Sequence, residues 1–434
     1  MRRVGISIYA LLLILLVGCK QQRPSSVDFS APEFVSLDSS IEMRNVLLEC
    51  TLSNARIEEC GFAYAAVGRH IFTEINSKIQ GISFEQEIND LKPGTTYNWY
   101  AFARSSDAEI KSDTLTFTIP PLSSEEIVSV PDKNFKAYLI DKYDSDGDGE
   151  ISIYEAEKVT KIEVYTQEIY TLEGISSFVR LDTLVCCDSG FYDILYNHED
   201  PQGKLTSLDL SANVNLKYLQ CNGNYLQSLI LPDSPYLTEV ICYKNCIRSL
   251  DVTKLTNLYL ISAFDNRITS LDLSNCEDLD FLEIGNNPLD FLDVSNCNNI
   301  GVLNVYDTNL KELDVKDKQN MNYLNFSWCQ IDSIDLSTLK YLKVLIISGC
   351  SISSLDLSYC TNLIEIYCES CLELEELDIS MLPSLSTFDC VLENEIGNQT
   401  PLKKLYVSGS QRIEGVTVNR SADYISETTE IIVI

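Results

Sequence analysis

Along most of this chain the apolar positions return on a fixed beat. Leu208, Leu229, Leu250, Leu271, Leu292, Leu313, Ile334 and Leu355 fall 21 residues apart, and Leu377 continues the series one residue late. Self-similarity at this length marks stacked supersecondary units, each unable to bury its apolar face without a neighbour. Within a unit such as Leu216–Leu226 the pattern reads LxxLxCxxNxL. Its local alternation predicts a short strand whose outer side carries Tyr218, Gln220 and Asn222. Residues 162–401 are expected to form this solenoid, and the departure from the beat over 402–434 predicts a C-terminal cap.

Other stretches follow other periods. Residues 29–120 alternate apolar and polar positions in short runs, among them Val46–Cys50, Gly61–Ala65 and Trp99–Ala103. An antiparallel β-sandwich of about seven strands is predicted there. Pro120-Pro121 and Ser123-Ser124 then mark a short linker. Over 125–161 the spacing becomes helical, with Phe135, Tyr138, Leu139 and Tyr143 on one face. The run from Ile6 to Val17 is too short to span a bilayer as a helix, but it suits the core of a secretory signal. Residues 20–28 read as a polar tether.

Three resemblances attach to these segments. Leu16-Val17-Gly18-Cys19 resembles the lipobox of bacterial lipoproteins, which implies cleavage before Cys19 and acylation of its thiol, so that 1–19 is signal plus anchor. The alternative is an ordinary signal with an incidental cysteine. Leu91–Tyr97 resembles the corner of fibronectin type III domains, where the tyrosine hydroxyl ties back to its own loop. The repeats resemble leucine-rich repeats of the internalin type, and the whole domain order resembles exported lipoproteins of Bacteroidota. The fold class expected is therefore mainly β: a leucine-rich-repeat solenoid of 21-residue repeats, preceded by a small β-sandwich and a short helical calcium-loop cap.

The sharpest chemical motif is Asp144-Ser145-Asp146-Gly147-Asp148-Gly149-Glu150-Ile151-Ser152-Ile153-Tyr154-Glu155. It matches the twelve-residue EF-hand loop. Calcium takes six to eight oxygens, and this spacing turns alternate residues inward. Asp144, Asp146 and Asp148 would each give a carboxylate oxygen, Glu150 its carbonyl, Ser152 a water-mediated contact and Glu155 a bidentate carboxylate. The alternative is an acidic turn that caps a helix without metal. Such loops usually pair through the residue at Ile151, so a lone copy predicts a structural ion that fixes the angle between domains and caps the solenoid's open end.

Columns on the solenoid's concave side carry the expected ligand face. One runs Tyr218, Glu239, Leu260, Phe281, Val302, Tyr323, Val344, Glu365; the next Gln220, Ile241, Ser262, Glu283, Asn304, Asn325, Ile346, Tyr367; the third Asn222, Tyr243, Phe264, Gly285, Tyr306, Ser327, Ser348, Glu369. Contiguous aromatics facing water suggest a binding surface, with Tyr218, Tyr243, Phe264, Phe281, Tyr306, Tyr323 and Tyr367 as candidates. The alternative is that they only cover one another along the ladder. An insertion around Asp188–Lys204 interrupts the beat and is a second candidate loop. A further column is nearly pure aspartate: Asp209, Asp251, Asp272, Asp293, Asp314, Asp335 and Asp356, broken at Ile230. Carboxylates stacked about 5 Å apart repel by roughly 0.8 kcal/mol in water. Backbone N–H groups in an Asp-x-Ser turn are the expected offset, and calcium strung along the column is the alternative.

Composition narrows the function. A net charge of −32 over 434 residues opposes nucleic-acid binding. Sixteen cysteines in an exported chain would suggest disulfides, yet Cys221/Cys242, Cys276/Cys297 and Cys329/Cys350/Cys371 recur at the repeat period. Those positions predict buried free thiols, while the pairing of Cys50 and Cys60 stays open. Only His70 and His198 exist, on different segments, and no nucleophile elbow, HExxH or phosphate loop is present, so no enzyme is expected. The reading is a monomeric, outer-membrane lipid-anchored protein at the cell surface or facing the periplasm. It would grip a protein ligand with its concave face; polysaccharide capture and an envelope-spacer role are the alternatives.

Overall fold

A computed structural model describes residues 32–42, 44–54, 57–106, 108–122, 126–188, 202–390, 402–408 and 430–434. Cys19, the signal and tether segments and most of the insertion at 189–201 lie outside them. The chain divides into two compact units, 1–121 and 122–434.

Among the described residues the first unit holds nine strands: β1 (Phe34–Glu42), β2 (Asn45–Leu52), β3 (Glu59–Ala66), β4 (Thr73–Ser77), β5 (Ile79–Gln80), β6 (Ser83–Ile88), β7 (Thr96–Arg104), β8 (Glu109–Lys111) and β9 (Leu115–Thr118). They form two antiparallel sheets, one in the order β1-β2-β6-β5, the other β4-β3-β7-β8 with β9 also on β7. Period-two alternation places Val46, Leu48, Cys50 and Leu52 of β2 inside. Phe62 meets Phe84 and Trp99 at ring distances of 5.1 and 5.8 Å, which joins the two sheets through one aromatic core. The Tyr97 hydroxyl accepts a hydrogen bond from the Lys92 N–H at 3.0 Å, closing the Leu91–Tyr97 corner.

The second unit opens with helix α1 (Lys133–Tyr143), capped by Asp132, whose Oδ1 accepts from the N–H groups of Asn134 and Phe135. After the acidic loop comes the short helix α2 (Ile153–Ala156), and strand β10 (Lys161–Glu163) begins the solenoid. Eleven parallel strands follow in one sheet, from β10 to Thr387–Asp389. Their central residues stack in register, including Ile162, Leu184, Leu219, Val240, Ile261, Leu282, Leu303, Leu324, Leu345, Ile366 and Phe388, all buried. This is a leucine-rich-repeat β-solenoid of roughly 21-residue turns. Phe135, Leu139 and Ile151 of the helical segment belong to the same core as the rungs.

Two features depart from the sequence expectations. The tail leaves the 21-residue beat but still stacks in parallel: Lys404–Val407 pairs with Glu376–Asp378, and Glu430–Val433 pairs with Lys404–Val407. Leu405 and Ile431 thus continue the column of Leu377 on the side opposite the long sheet, at a longer spacing than 21. The acidic loop is also not without a paired segment. Val128 N–H donates to the Ile151 carbonyl and Ile153 N–H to the Glu126 carbonyl, both at 2.8 Å, so an extended segment of the chain pairs where a second loop would.

Candidate binding face and calcium loop

The loop is built by its glycines and its serine cap. Gly147 and Gly149 take φ of +70° and +86°, conformations that side-chain-bearing residues rarely adopt, and these turn the chain around Asp144. Asp144 receives the N–H groups of Gly147, Asp148 and Gly149; Asp146 receives that of Asp148, and Asp148 that of Glu150. Carboxylate oxygens of Asp144, Asp146 and Asp148 converge within 4.8 Å of one another. Burial pushes the Asp144 carboxyl up, but the Gly149, Gly147 and Asp148 N–H groups outweigh it and hold it below the ordinary range.

Glu155 closes the loop as residue N3 of a capping box on Ser152. Its Oε1 accepts from the Ser145 N–H and hydroxyl at 2.8 and 2.9 Å, and its Oε2 from those of Ser152 at 3.0 and 2.9 Å. Glu155 is 3% exposed and stands apart from the three-aspartate cluster. The Glu150 carboxylate is turned away to Lys136 at 2.6 Å, leaving its carbonyl as the group the loop could offer. The three aspartates and the Glu150 carbonyl, hard oxygens on one turn, fit calcium, whereas Glu155, expected as a bidentate ligand, is here held by Ser145 and Ser152 and would have to exchange those bonds for the ion.

On the open side of the long sheet the aromatic candidates are half-buried rather than freely exposed. Tyr243 and Phe264 stack at 4.5 Å with planes 6° apart, and Phe264 is 8% exposed. Tyr218, Phe281, Tyr306, Tyr323 and Tyr367 are intermediate in exposure. Neighbouring rungs bring rings of adjacent units within packing distance, so part of their surface is spent on one another. Polar groups knit the rest: Tyr218 donates to Gln220, Gln220 to Asn222, Tyr367 to Glu365, and Ser262 to Glu283. Burial pushes the Glu283 carboxyl up against the opposing hydrogen bonds of Ser262 and Asn304. Burial, helped by Asp188, moves the Tyr243 phenol up to about 12.

Beside this face runs a column that the sequence analysis passed over. Gly223, Lys244, Asp265, Asn286, Asp307, Trp328, Gly349 and Ser370, one in each of eight successive rungs, all take positive φ between 48° and 72°. The signal was present as a 21-residue recurrence of Gly, Asp and Asn, the residues that tolerate this conformation. The Tyr306 ring lies over Gly285, where a Cβ would overlap it. Its hydroxyl donates to Asp265 at 3.4 Å, and Asp265 also accepts from the Asn286 amide.

The aspartate column on the other side is satisfied locally. Oδ1 of Asp209, Asp251, Asp272, Asp293, Asp314, Asp335 and Asp356 accepts from the N–H two residues on, at 2.8–3.0 Å. These bonds are the expected Asx turns. Among the described residues, Asp144, Asp146 and Asp148 form the sole group of three or more metal-ligating side chains that converge. His70 is exposed, and His198 lies outside the described residues.

No family model matches the sequence, and no curated protein matches it. Among solved structures the chain is similar to the functional domain of InlJ from Listeria monocytogenes, which includes a cysteine ladder. The identity is 24%, covering 64% of this chain and 69% of that one, with a TM-score of 0.44. It is also similar to an internalin (inlF) from the same organism, at 14% identity, 70% and 91% coverage and a TM-score of 0.38. A third likeness is YopM, a leucine-rich effector protein from Yersinia pestis, at 18% identity, 59% and 72% coverage and a TM-score of 0.38.

Proposed function

We propose that this is an exported binding module, anchored to the outer membrane by lipid on Cys19, that holds a protein ligand on the concave face of its solenoid. The observation that carries the reading is the uninterrupted eleven-stranded parallel sheet. Its outer side presents Tyr218, Tyr243, Phe281, Tyr306, Tyr323 and Tyr367 half-exposed among amides and carboxylates. Half-exposed aromatics held rigidly by their neighbours lose little side-chain entropy when a partner covers them. Calcium in the Asp144–Glu155 loop would serve structure, because that loop joins the helical segment whose core is continuous with the first rungs. Asp144, Asp146, Asp148, the Glu150 carbonyl, Ser152 and Glu155 would hold it.

The test presents the full chain, with calcium, to an array of extracellular proteins and polysaccharides. A protein hit weakened by Tyr243→Ala and Tyr367→Ala together supports the reading. A polysaccharide hit lost in Tyr306→Ala replaces it with glycan capture. Membrane fractionation of a Cys19→Ala variant tests the anchor: release into the soluble fraction is expected, and retention contradicts lipidation.

A further inference from the structure

The residue after each strand of the long sheet points into the core, and this column carries cysteines near both of its ends. Cys186, Cys221 and Cys242 follow the second, third and fourth strands, and Cys368 and Cys390 follow the last two. All five are buried. In-register neighbours of a parallel stack stand about 4.8 Å apart at Cα, within the roughly 4.4–6.8 Å that a disulfide spans. Their Cβ atoms must still close to about 3.8 Å, so one strand has to yield.

A strand yields where one of its sides is open. At the near end the N–H groups of Cys186, Cys221 and Cys242 donate to the carbonyls of Gln220, Ile241 and Ser262, each at 2.8 Å, so Cys221 and Cys242 sit in rungs held from both sides. At the far end Thr387–Asp389 is the last strand of the sheet, and among the described residues it pairs on one side, with Glu365–Tyr367. There the Cys368 N–H donates to the Asp389 carbonyl at 2.7 Å. The Cys368 thiol also meets the Cys390 thiol in a hydrogen bond. The Cys371 thiol, close by, is turned elsewhere, to the Ile347 carbonyl at 3.1 Å.

We propose that Cys368 and Cys390 are a disulfide site, which on reaction with a disulfide oxidant locks the last strand of the sheet to the strand before it. The bond to Cys390 and burial push the Cys368 thiol well above the ordinary thiol range, so the closed rung is inert and exchange takes place while the terminal rung is open. One cysteine thiolate attacks the oxidant and expels the first of its two thiols. The other cysteine attacks the mixed disulfide and expels the second. Two electrons and two protons pass to the oxidant, and one S–S bond replaces another. The link then holds covalently a strand that hydrogen bonds hold on one side. An oxidising compartment, as export would provide, favours it. The site itself owes nothing to Cys19 or to the ligand face.

The other cysteines of the column supply the control. The full chain is unfolded with reductant and refolded in excess oxidised glutathione, and the thiols that remain are alkylated in denaturant. Cleavage after glutamate puts Cys368, Cys371 and Cys390 on separate peptides, and it parts Cys221 from Cys242. Mass spectrometry is expected to find the Cys368 and Cys390 peptides joined and lighter by two hydrogens, with Cys221, Cys242 and Cys371 alkylated. Hydrogen exchange at the Cys368 amide should slow about tenfold on linking and return to its former rate with reductant. Cys390→Ala keeps a small apolar side chain in the core, and it should fold, lose the link and lose the slowing together. Alkylation of both Cys368 and Cys390 without reduction overturns the proposal. So does a link through Cys371, a link between Cys221 and Cys242, or slowed exchange that persists in Cys390→Ala. None of these outcomes bears on the lipid anchor or on protein binding, which the fractionation and the array test by themselves.

Discussion

Single carboxylates in this chain behave in opposite ways, and the difference is legible in their partners. Glu155 is buried, yet each of its oxygens accepts two hydrogen bonds, from Ser145 and Ser152. Replacing it by glutamine keeps the size and removes the charge a calcium ion needs. Glu155→Gln should abolish calcium binding by titration calorimetry, and it should erase the rise in melting temperature that saturating calcium gives the wild type. At a hundredfold excess over Kd that rise corresponds to about 2.7 kcal/mol. Unchanged affinity in the variant would remove the calcium assignment. Glu283 is the reverse case, because burial raises its pKa above the ordinary carboxylate value. The folded chain then binds more protons than the unfolded chain between those two values. Its contribution to stability is full below the unfolded pKa and is lost as pH rises through the folded one. Glu283→Gln should therefore raise the melting temperature near pH 7 and leave it little changed near pH 4. Equal shifts at both would contradict the burial.

At the scale of the element, the rungs are tied by a ladder that changes chemistry half way along. Asn245, Asn266 and Asn287 donate their amides to the carbonyls of Cys221, Cys242 and Ala263, three residues before the Asn position of the preceding rung, at 3.0–3.1 Å. Their Oδ1 atoms accept from Leu226, Ile247 and Ile268. In the later rungs Cys329, Cys350 and Cys371 donate to the equivalent carbonyls of Val305, Phe326 and Ile347 at 3.1–3.2 Å. The described cysteines are free thiols, most of them buried. Burial pushes the Cys350 thiol up to about 12 and that of Cys371 to about 11, so both stay protonated and able to donate. Asn266→Cys should thus cost less stability than Asn266→Ala, which removes every bond from the amide to the Cys242, Ala263 and Phe264 carbonyls as well as the acceptor of the Ile247 N–H, at about 1 kcal/mol or more in all. Chemical denaturation of the two variants checks the order, and equal losses would deny the thiols a role as donors.

The first rung's exposed edge is closed by tyrosines rather than by another strand. The Glu163 N–H donates to the Tyr138 hydroxyl at 3.0 Å, and the Tyr143 hydroxyl donates to the Lys161 carbonyl. Removing both hydroxyls in Tyr138→Phe/Tyr143→Phe should cost about 2 kcal/mol and loosen β10 first. Hydrogen exchange would show this as faster exchange at Glu163. Unchanged exchange there would mean the helix packs without sealing the edge. The repeat, its apolar columns and the Asx turns were legible from the sequence because each depends on residues at a fixed spacing. The edge cap was not, since Tyr138 and Glu163 are 25 positions apart and obey no period. The antiparallel bridge between Ile127 and Ser152 was hidden for the same reason. Trp328 went unnoticed because outward columns were chosen by strand alternation, and it sits one residue past them, where the backbone turns.

At the scale of the whole molecule, the solenoid has two acidic sides of different kinds. On one, each aspartate of the turn column is tied to its own backbone two residues on, as at Asp251, Asp272 and Asp293. On the other, Glu239, Glu365 and Asp307 stand among the half-exposed aromatics. This arrangement gives an internal control for the central claim that the concave face holds a protein ligand. The measurement is carbodiimide labelling of carboxylates in the full chain, with and without a protein partner taken from the array, read residue by residue by mass spectrometry. Protection of Glu239, Glu365 and Asp307, with Asp251, Asp272 and Asp293 labelled as before, is the predicted result. Protection of the turn column instead, or of neither side, would contradict it.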